Sequence, residues 1–298
     1  MASRLKFRQK LEGTRVLIIG GSSGFGFGVA EGCMEWGVAH LSIASSSEKR
    51  VTEAISRLRQ SYPDATTEIK GHACDLSNES TIDANIKTLF AAIGTLDHLV
   101  FTAGDAPPTR DNSDLDMQFI KNAGMVRFFA PLLVAAYGRE SIATRPESSI
   151  TLTTGVSGER PIPGWPVACS YLAGLHGMTR SLALDLKPIR VNLVSPGAAN
   201  TEMWDVLDDA TRSETMESLA RATTTGRVGA VEDIAEAYLY SMRDANLSGA
   251  IISTNGGRCA SNWYLEIQGK AEIDNYIEGA LPELAAKTTF FFMGIVLC

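Results

Sequence analysis

The chain has 298 residues, 45% of them hydrophobic and 20% charged, which is the balance of an ordinary globular protein with a sizeable core. Its formal net charge is -7 and no basic block stands out, so the composition argues against a nucleic-acid-binding protein. The cysteines form no CxxC pair, and apart from His72 and Cys74 they lie far in sequence from the four histidines, which argues against a disulfide framework or a metal site and favours a reducing, cytoplasmic compartment. These cysteines are Cys33, Cys74, Cys169, Cys259 and Cys298.

Neither end of the chain looks like a membrane or export signal. The N-terminal segment MASRLKFRQKLEG is polar and basic and lacks the apolar stretch of a secretory signal. The C-terminal run TTFFFMGIVLC is about half of the ~20 apolar residues that a bilayer-spanning helix needs. We therefore expect no association with a membrane.

Short β-branched segments alternate with helical patterns along the chain. Strands are predicted at 14–21, 40–45, 65–76, 96–104, 148–155, 189–197 and 250–257. Helices are predicted at 24–36, 48–62, 79–92, 115–137 and 166–185. Alternation of this kind, with strands that are apolar almost throughout, indicates an α/β fold: a doubly wound, parallel, seven-stranded sheet of the Rossmann type with helices on both faces.

No linker or repeat divides the predicted elements, so we expect a single domain over residues 1–262. Residues 201–225 lie between a strand and a helix and are predicted to form a mobile helical lid over a ligand cleft. Residues 263–298 are predicted to be a C-terminal extension that packs on a neighbouring subunit, because exposed apolar runs tend to find partners.

The glycine-rich segment GGSSGFGFG follows the first predicted strand and opens the first predicted helix. Gly20, Gly24 and Gly26 have the spacing GxxxGxG. Glycines at such positions allow a tight turn and a close approach of the backbone to a pyrophosphate at a helix N-terminus. A flexible turn is the simpler interpretation, but the position between strand and helix favours a dinucleotide site.

The end of the second predicted strand indicates which dinucleotide binds. A carboxylate at this point binds the ribose hydroxyls of NAD and repels the 2′-phosphate of NADP. Here the sequence has Ser45, Ser46 and Ser47, followed by Lys49 and Arg50, and no carboxylate at the strand end. The pattern favours NADP(H), although the serines could also cap the next helix.

Over residues 12–257 the chain resembles the short-chain dehydrogenase/reductase family. The segment IGGSSGFG resembles the family's TGxxxGxG with Ile19 in place of threonine, and FTAG resembles NNAG without its asparagines. The resemblance implies that Asp75 faces the adenine, that the Pro-Gly of IRVNLVSPG flanks the nicotinamide, and that Thr201 holds the carboxamide. The implied cofactor-binding residues are Gly20, Ser22, Ser23, Gly24, Phe25, Gly26, Ser45, Ser46, Ser47, Asp75, Leu76, Ala103, Gly104, Arg127, Pro196, Gly197 and Thr201.

The family's catalytic relay is missing from this sequence. The resemblance places the family's asparagine, serine, tyrosine and lysine at Ala123, Gly155, Ala168 and Leu172, and none of these has a titratable side chain. Tyr171 is offset by three residues from the tyrosine position, which turns it about 60° away from the expected helix face. It also has no lysine four residues later.

A retained cofactor site without a relay is similar to one subgroup of the family, the fungal reductase and Diels–Alderase enzymes of indole-alkaloid biosynthesis. The resemblance implies that Arg127 lies near the cofactor, whereas Gly164 stands where an acidic residue is expected. The remaining candidates for catalysis are Arg127, Trp165 and Tyr171, with Ser157 and His176 as further polar groups. Each also has a structural interpretation: a solvated charge for Arg127, and packing for the aromatic residues and the histidine.

We therefore predict an NADP(H)-dependent enzyme of secondary metabolism that acts on a small organic molecule. It would reduce a substrate such as an iminium ion, which needs no proton, or guide the cyclisation of a reactive intermediate. A catalytically silent NADP-binding sensor or partner subunit, and a cofactor-free cyclase or isomerase, remain as alternatives. We expect a homodimer or homotetramer.

Overall fold

The structure is a computed structural model that describes Phe7, residues 9–104, Arg110 and residues 112–261. The predicted C-terminal extension, residues 263–298, lies outside this part of the chain. Seven parallel strands form one sheet in the order β3-β2-β1-β4-β5-β6-β7. The strands are β1 (Arg15–Ile19), β2 (His40–Ser45), β3 (Glu68–Ala73), β4 (His98–Phe101), β5 (Ser149–Thr153), β6 (Arg190–Pro196) and β7 (Ile251–Thr254).

Helices cover both faces of the sheet. They are α1 (Gly24–Glu35), α2 (Glu48–Ser61), α3 (Ile82–Ile93), α4 (Met117–Gly124), α5 (Ala130–Gly138), α6 (Pro166–Asp185), α7 (Asp209–Arg221) and α8 (Val231–Arg243). Side chains of β1 alternate between the two faces: Val16 and Ile18 pack in the core beneath α1, α2 and α8, and Leu17 and Ile19 in the core beneath α3, α5 and α6. The predicted doubly wound sheet is therefore confirmed.

The strand order reverses direction at β1. From β1 the chain first moves outward through β2 and β3, and then returns to place β4 on the other side of β1. A crevice forms at such a switch point, outside the carboxyl ends of the strands, because the flanking helices leave in opposite directions. The glycine-rich turn after β1 lies at this crevice.

The long helix predicted at 115–137 is not a continuous α-helix. A π-helical segment, Met125–Phe129, separates α4 from α5, and the Ala130 N–H donates to the Met125 carbonyl, five residues back. The Tyr171 ring of α6 packs against Gly124 and lies 5.0 Å from the Phe128 ring and 5.8 Å from the Phe129 ring. The wider turn accommodates this aromatic contact, which a single-sequence pattern does not encode.

Within the described residues, one helical stretch, Met117–Gly138, is long and apolar enough to cross a bilayer by length and composition. Its side chains Ala130, Val134 and Ala135 are buried in the core against the sheet. The stretch is accounted for as a core helix of the α/β fold.

The predicted lid region is helical. It consists of a 3-10 helix, Glu202–Val206, followed by α7. Trp204 anchors the 3-10 helix: its ring is buried and its Nε1 donates to the Ala199 carbonyl at 2.7 Å. The mobility of the lid stays a prediction.

Candidate active site

A cleft of about 530 Å³ lies at the carboxyl ends of β1 to β5. Most of the predicted cofactor ligands line it: Gly20, Ser22, Ser23, Gly24, Phe25, Ser45, Ser46, Asp75, Leu76, Ala103, Gly104, Arg127 and Thr201. The sequence predictions from six separate segments thus converge on one cavity.

The glycine-rich turn is built on backbone-to-backbone contact. Gly20 has a φ of +94°, and a Cβ on it would lie 2.4 Å from the Ala103 nitrogen. A Cβ on Gly26 would lie 2.3 Å from the Gly20 carbonyl oxygen. Gly26 therefore supports the turn from inside helix α1 without lining the cleft, and the N-terminus of α1 borders the cleft.

The serine cluster after β2 divides into two roles. Ser45 accepts a hydrogen bond from the Ser22 hydroxyl at 3.0 Å, and Ser46 accepts one from Arg50 Nη2 at 2.6 Å, both at the cleft. Ser47 instead caps α2, because its Oγ accepts from the Arg50 backbone N–H. The capping interpretation therefore holds for Ser47, whereas Ser45 and Ser46 line the cleft and their part in cofactor binding stays a prediction.

Arg50 is a cleft residue that the sequence prediction did not include among the cofactor ligands. It lies in the first turn of α2 and its guanidinium reaches back to Ser46. A guanidinium at this point can bind a phosphate with two parallel hydrogen bonds. The available signal was its position immediately behind the three serines.

Arg127 lies in the π-helical segment and lines the cleft beside the end of β4. Its guanidinium lies against Gly104: a Cβ there would be 2.8 Å from the arginine Cζ and Nη1. The predicted placement of Arg127 near the cofactor site therefore agrees with the geometry, and the glycine leaves the space that the guanidinium fills.

The loop after β3 supplies Asp75 to the opposite wall. Its Oδ1 accepts from the Ser77 N–H at 2.9 Å and from the Ser77 hydroxyl at 2.7 Å, which fixes the carboxylate in a tight turn. The neighbouring Cys74 also lines the cleft, but burial and then the Asp75 charge raise its pKa to about 11. This thiol is protonated at neutral pH and is a poor nucleophile.

The positions that the resemblance assigns to the family's tyrosine and lysine are apolar. Ala168 and Leu172 form a small buried cluster with Trp165 and Cys169 on α6. The Thr154 hydroxyl of the cleft wall donates to the Leu172 carbonyl at 2.7 Å, which ties this helix to the site. Trp165, a candidate for stacking on substrate, is 5% exposed within this cluster and does not line the cleft.

Tyr171, the other aromatic candidate, contacts α4 and the π-helical segment. Its hydroxyl donates to the Ile120 carbonyl at 2.9 Å, and burial raises its pKa. The ring lies between Phe128 and Phe129 and is not among the cleft-lining groups. These contacts agree with the packing interpretation of Tyr171.

The other polar candidates also lie outside the cleft lining. Ser157 is buried, and the His176 ring lies 4.0 Å from the Glu159 carboxylate with a pKa lowered by burial. Pro196 ends β6 and Gly197 follows it; neither lines the cleft, and a Cβ on Gly197 would lie 2.8 Å from the Asn255 Cα. In the part of the chain that the structure describes, no group of three or more His, Cys, Asp or Glu could hold a metal ion.

Glu202 is a second cleft residue that the sequence did not reveal. It begins the 3-10 helix of the lid, and its Oε2 accepts a hydrogen bond from the Gly24 N–H at 3.0 Å. The contact joins positions 178 residues apart in the chain.

A parallel, doubly wound sheet with a glycine-rich turn at the N-terminus of its first helix defines a dinucleotide-binding Rossmann domain. The family described as SDR-like Rossmann domain matches residues 7–260. The chain belongs to the short-chain dehydrogenase/reductase family.

Two fungal relatives are similar to nearly the whole described chain. The short-chain dehydrogenase/reductase fsr5 of Gibberella fujikuroi is 43% identical over 265 residues, which cover 88% of this chain and 100% of that protein. The short-chain dehydrogenase/reductase malC of Malbranchea aurantiaca is 37% identical, over 86% of this chain and 98% of that protein.

Solved structures agree with these relationships. The structure of the MalC reductase/Diels-Alderase from Malbranchea aurantiaca superimposes with a TM-score of 0.80 at 37% identity, covering 85% of this chain and 99% of that one. A small-chain dehydrogenase in complex with NADPH gives a TM-score of 0.66 at 26% identity, covering 83% and 99%.

Proposed function

We propose that this protein is an NADP(H)-dependent enzyme of secondary metabolism that transforms a small organic molecule without a tyrosine–lysine relay. The proposal rests on the contrast between a cleft with phosphate-binding groups and apolar residues at the positions of the relay. The cleft has a glycine cradle, a helix N-terminus and the Ser46–Arg50 pair, whereas Ala168 and Leu172 present only apolar groups.

The residues of the cleft fit a dinucleotide phosphate. Gly20 and Gly26 have no room for a Cβ, so the backbone of the turn can approach a pyrophosphate closely. Arg50 and Ser46 would hold a 2′-phosphate, and Asp75 would face the adenine end. NADPH bound there would supply hydride to the substrate.

The absence of a relay restricts the substrate. Reduction of a ketone leaves an alkoxide that must take up a proton, and a positioned acid is worth about 10²–10⁴-fold in rate. The carbon of an iminium ion accepts hydride to give a neutral amine, with no proton transfer. Arg127 would hold cofactor phosphate.

A second activity, guided cyclisation, is supported by one comparison. The MalC structure is described as that of a reductase/Diels-Alderase, at 37% identity to this chain. A cleft that holds a cofactor and a reactive product together could select one folded conformer of that product for ring closure. Cyclisation in the presence of the purified protein, with the stereochemistry of the product as the readout, tests this activity.

NADPH is expected to bind more tightly than NADH, and Ser46→Asp is expected to weaken NADPH binding by about fivefold or more. The new carboxylate would repel the 2′-phosphate and would draw Arg50 into an ion pair. Titration calorimetry with both cofactors measures the effect.

Ser47→Asp is the matched control for this prediction. It adds the same charge one residue along, where aspartate keeps the cap of α2 and lies outside the cleft. Equal or tighter binding of NADH by the wild-type protein would refute the NADP(H) assignment.

Tyr171→Phe is expected to keep most of the NADPH-dependent activity toward a cyclic iminium. The hydroxyl is bonded to the Ile120 carbonyl and does not line the cleft, so the change removes about 1 kcal/mol of stability and no proton donor. Initial rates at 340 nm with an iminium and with a simple ketone measure both points. Brisk ketone reduction that is abolished by Tyr171→Phe would make this tyrosine the acid and contradict the proposed chemistry.

The expected cytoplasmic location and the homodimer or homotetramer stay predictions.

A further inference from the structure

Glu202 contacts two elements that border the cofactor cleft. Its Oε2 accepts a hydrogen bond from the Gly24 N–H at 3.0 Å, at the first residue of α1. Its Oε1 lies 3.7 Å from Arg57 Nη1 on α2. The carboxylate therefore lies between the glycine-rich turn and a basic side chain.

The N-terminus of α1 has no anionic partner of its own. No acidic residue lies in its first turn, and the Ser23 side chain makes no capping hydrogen bond. The N–H groups at this end and the helix dipole favour an anion. The carboxylate of Glu202 satisfies one of these N–H groups from a distant segment of the chain.

A pyrophosphate in this fold would need the same N–H groups. Two anions at one helix N-terminus repel each other and cannot both accept from the Gly24 N–H. Arg57 offers Glu202 a second partner, because its guanidinium is held over the Phe27 ring at 3.9 Å and already lies 3.7 Å from the other carboxylate oxygen. The Glu202 carboxylate can therefore leave the Gly24 N–H and pair with the Arg57 guanidinium.

We propose that Glu202 is an internal stand-in for the cofactor phosphate: it holds the start of the lid against the glycine-rich turn and must be displaced onto Arg57 when NADP(H) binds. This inference rests on the proposed function. The charge of Glu202 then sets the affinity for the cofactor, and displacement of the carboxylate couples cofactor binding to the position of the segment that begins at Glu202.

The residues on either side of Glu202 have contacts of their own with the glycine-rich turn and with the core. Thr201 lies directly before Glu202 and its Cγ2 is 3.8 Å from a Cβ placed on Gly24. Trp204 follows two residues later and is fixed in the core through Ala199. A change at Glu202 therefore acts over a short, anchored stretch that leads into α7.

The test is a calorimetric titration of the full chain with NADP⁺ and with 2′-AMP. Glu202→Gln and Glu202→Ala are expected to bind NADP⁺ about two- to fivefold more tightly than the wild type, the range for a charge at an exposed helix end. Binding of 2′-AMP, which carries no pyrophosphate, is expected to stay unchanged. Asp205→Asn is the matched control: it removes one negative charge from the same 3-10 helix, where Asp205 pairs with Arg212 at 2.7 Å.

Each outcome decides the proposal. Tighter NADP⁺ binding in the two Glu202 variants alone supports it. Unchanged or weaker binding makes Glu202 a neutral residue or a cofactor ligand and overturns it. An equal gain for 2′-AMP, or for Asp205→Asn, shows a general effect of charge and overturns it as well. If the wild-type protein and both Glu202 variants bind NADP⁺ no more tightly than 2′-AMP, the stand-in fails while an NADP-type site survives. If the wild-type protein binds neither ligand, the proposed function fails and this inference falls with it.

Discussion

Replacing Arg127 with alanine is expected to weaken NADPH binding by about 1.5–3 kcal/mol, a roughly 10- to 150-fold rise in Kd. The guanidinium lies against Gly104 at the wall of the cleft, where it can donate two hydrogen bonds to a phosphate. A fixed positive charge close to a cationic substrate would be unfavourable, so we assign it to the cofactor.

Titration of wild type, Arg127→Ala and Arg127→Lys with NADPH measures this effect. Lysine keeps the charge but loses the planar fork, so its Kd is expected to fall between the other two. Arg139→Ala removes an exposed arginine just after α5 and is the control for net charge. Normal NADPH binding with failed turnover in Arg127→Ala would reassign Arg127 to the substrate.

Arg190→Met is expected to lower the free energy of unfolding by about 3–5 kcal/mol. Arg190 is 3% exposed and uses all five of its N–H donors on backbone carbonyls. These carbonyls belong to Pro146, Glu147, Ser241, Met242 and Leu247. Methionine would fill much of the space but leave buried acceptors at the end of α8 and before β5 without a donor.

Urea unfolding followed by circular dichroism measures the loss. Arg227→Met is the control, because Arg227 forms an exposed ion pair with Asp233 at 2.8 Å and is expected to contribute less than about 1 kcal/mol. The two variants compare a buried and an exposed arginine in the same chain. A midpoint for Arg190→Met equal to that of the control would refute the structural role of Arg190.

The fold could be predicted because its signals are local. Each strand is a short apolar run, and the glycines at 20, 24 and 26 mark the turn between strand and helix. The range predicted for α6, 166–185, agrees with the structure, since Pro166 sits at the start of the helix and the apolar period continues to its end. Convergence of distant segments on one cleft followed from the topology of a parallel sheet.

The π-helical segment could not be predicted. Met125–Phe129 has an ordinary helical sequence, and its wider turn depends on contacts with Tyr171, more than forty residues away in the chain. On a continuous α-helix Arg127 would lie one turn beyond Ala123 and on nearly the same face. In the structure Arg127 still reaches the cleft, but it does so beside Gly104 after β4.

Arg50 and Glu202 were missed for a related reason. Their sequence neighbourhoods are ordinary first turns with charged residues, which usually face solvent. Their importance comes from partners elsewhere: Arg50 folds back onto Ser46, and Glu202 reaches Gly24. Side-chain direction at the end of a helix is set by such contacts, and a single sequence does not report them.

The apolar cluster on α6 has a consequence for how this protein can change over evolutionary time. Restoring tyrosine at Ala168 and lysine at Leu172 looks like a two-step return to carbonyl reduction. However, Leu172 is 2% exposed among Trp165, Ala168 and Cys169, so a lysine there would bury an ammonium group without a counter-charge in that cluster. The larger tyrosine would also overfill the same space. Such a return would therefore require the residues of the whole cluster to change together, so two single substitutions are expected to cost stability before they restore carbonyl reduction.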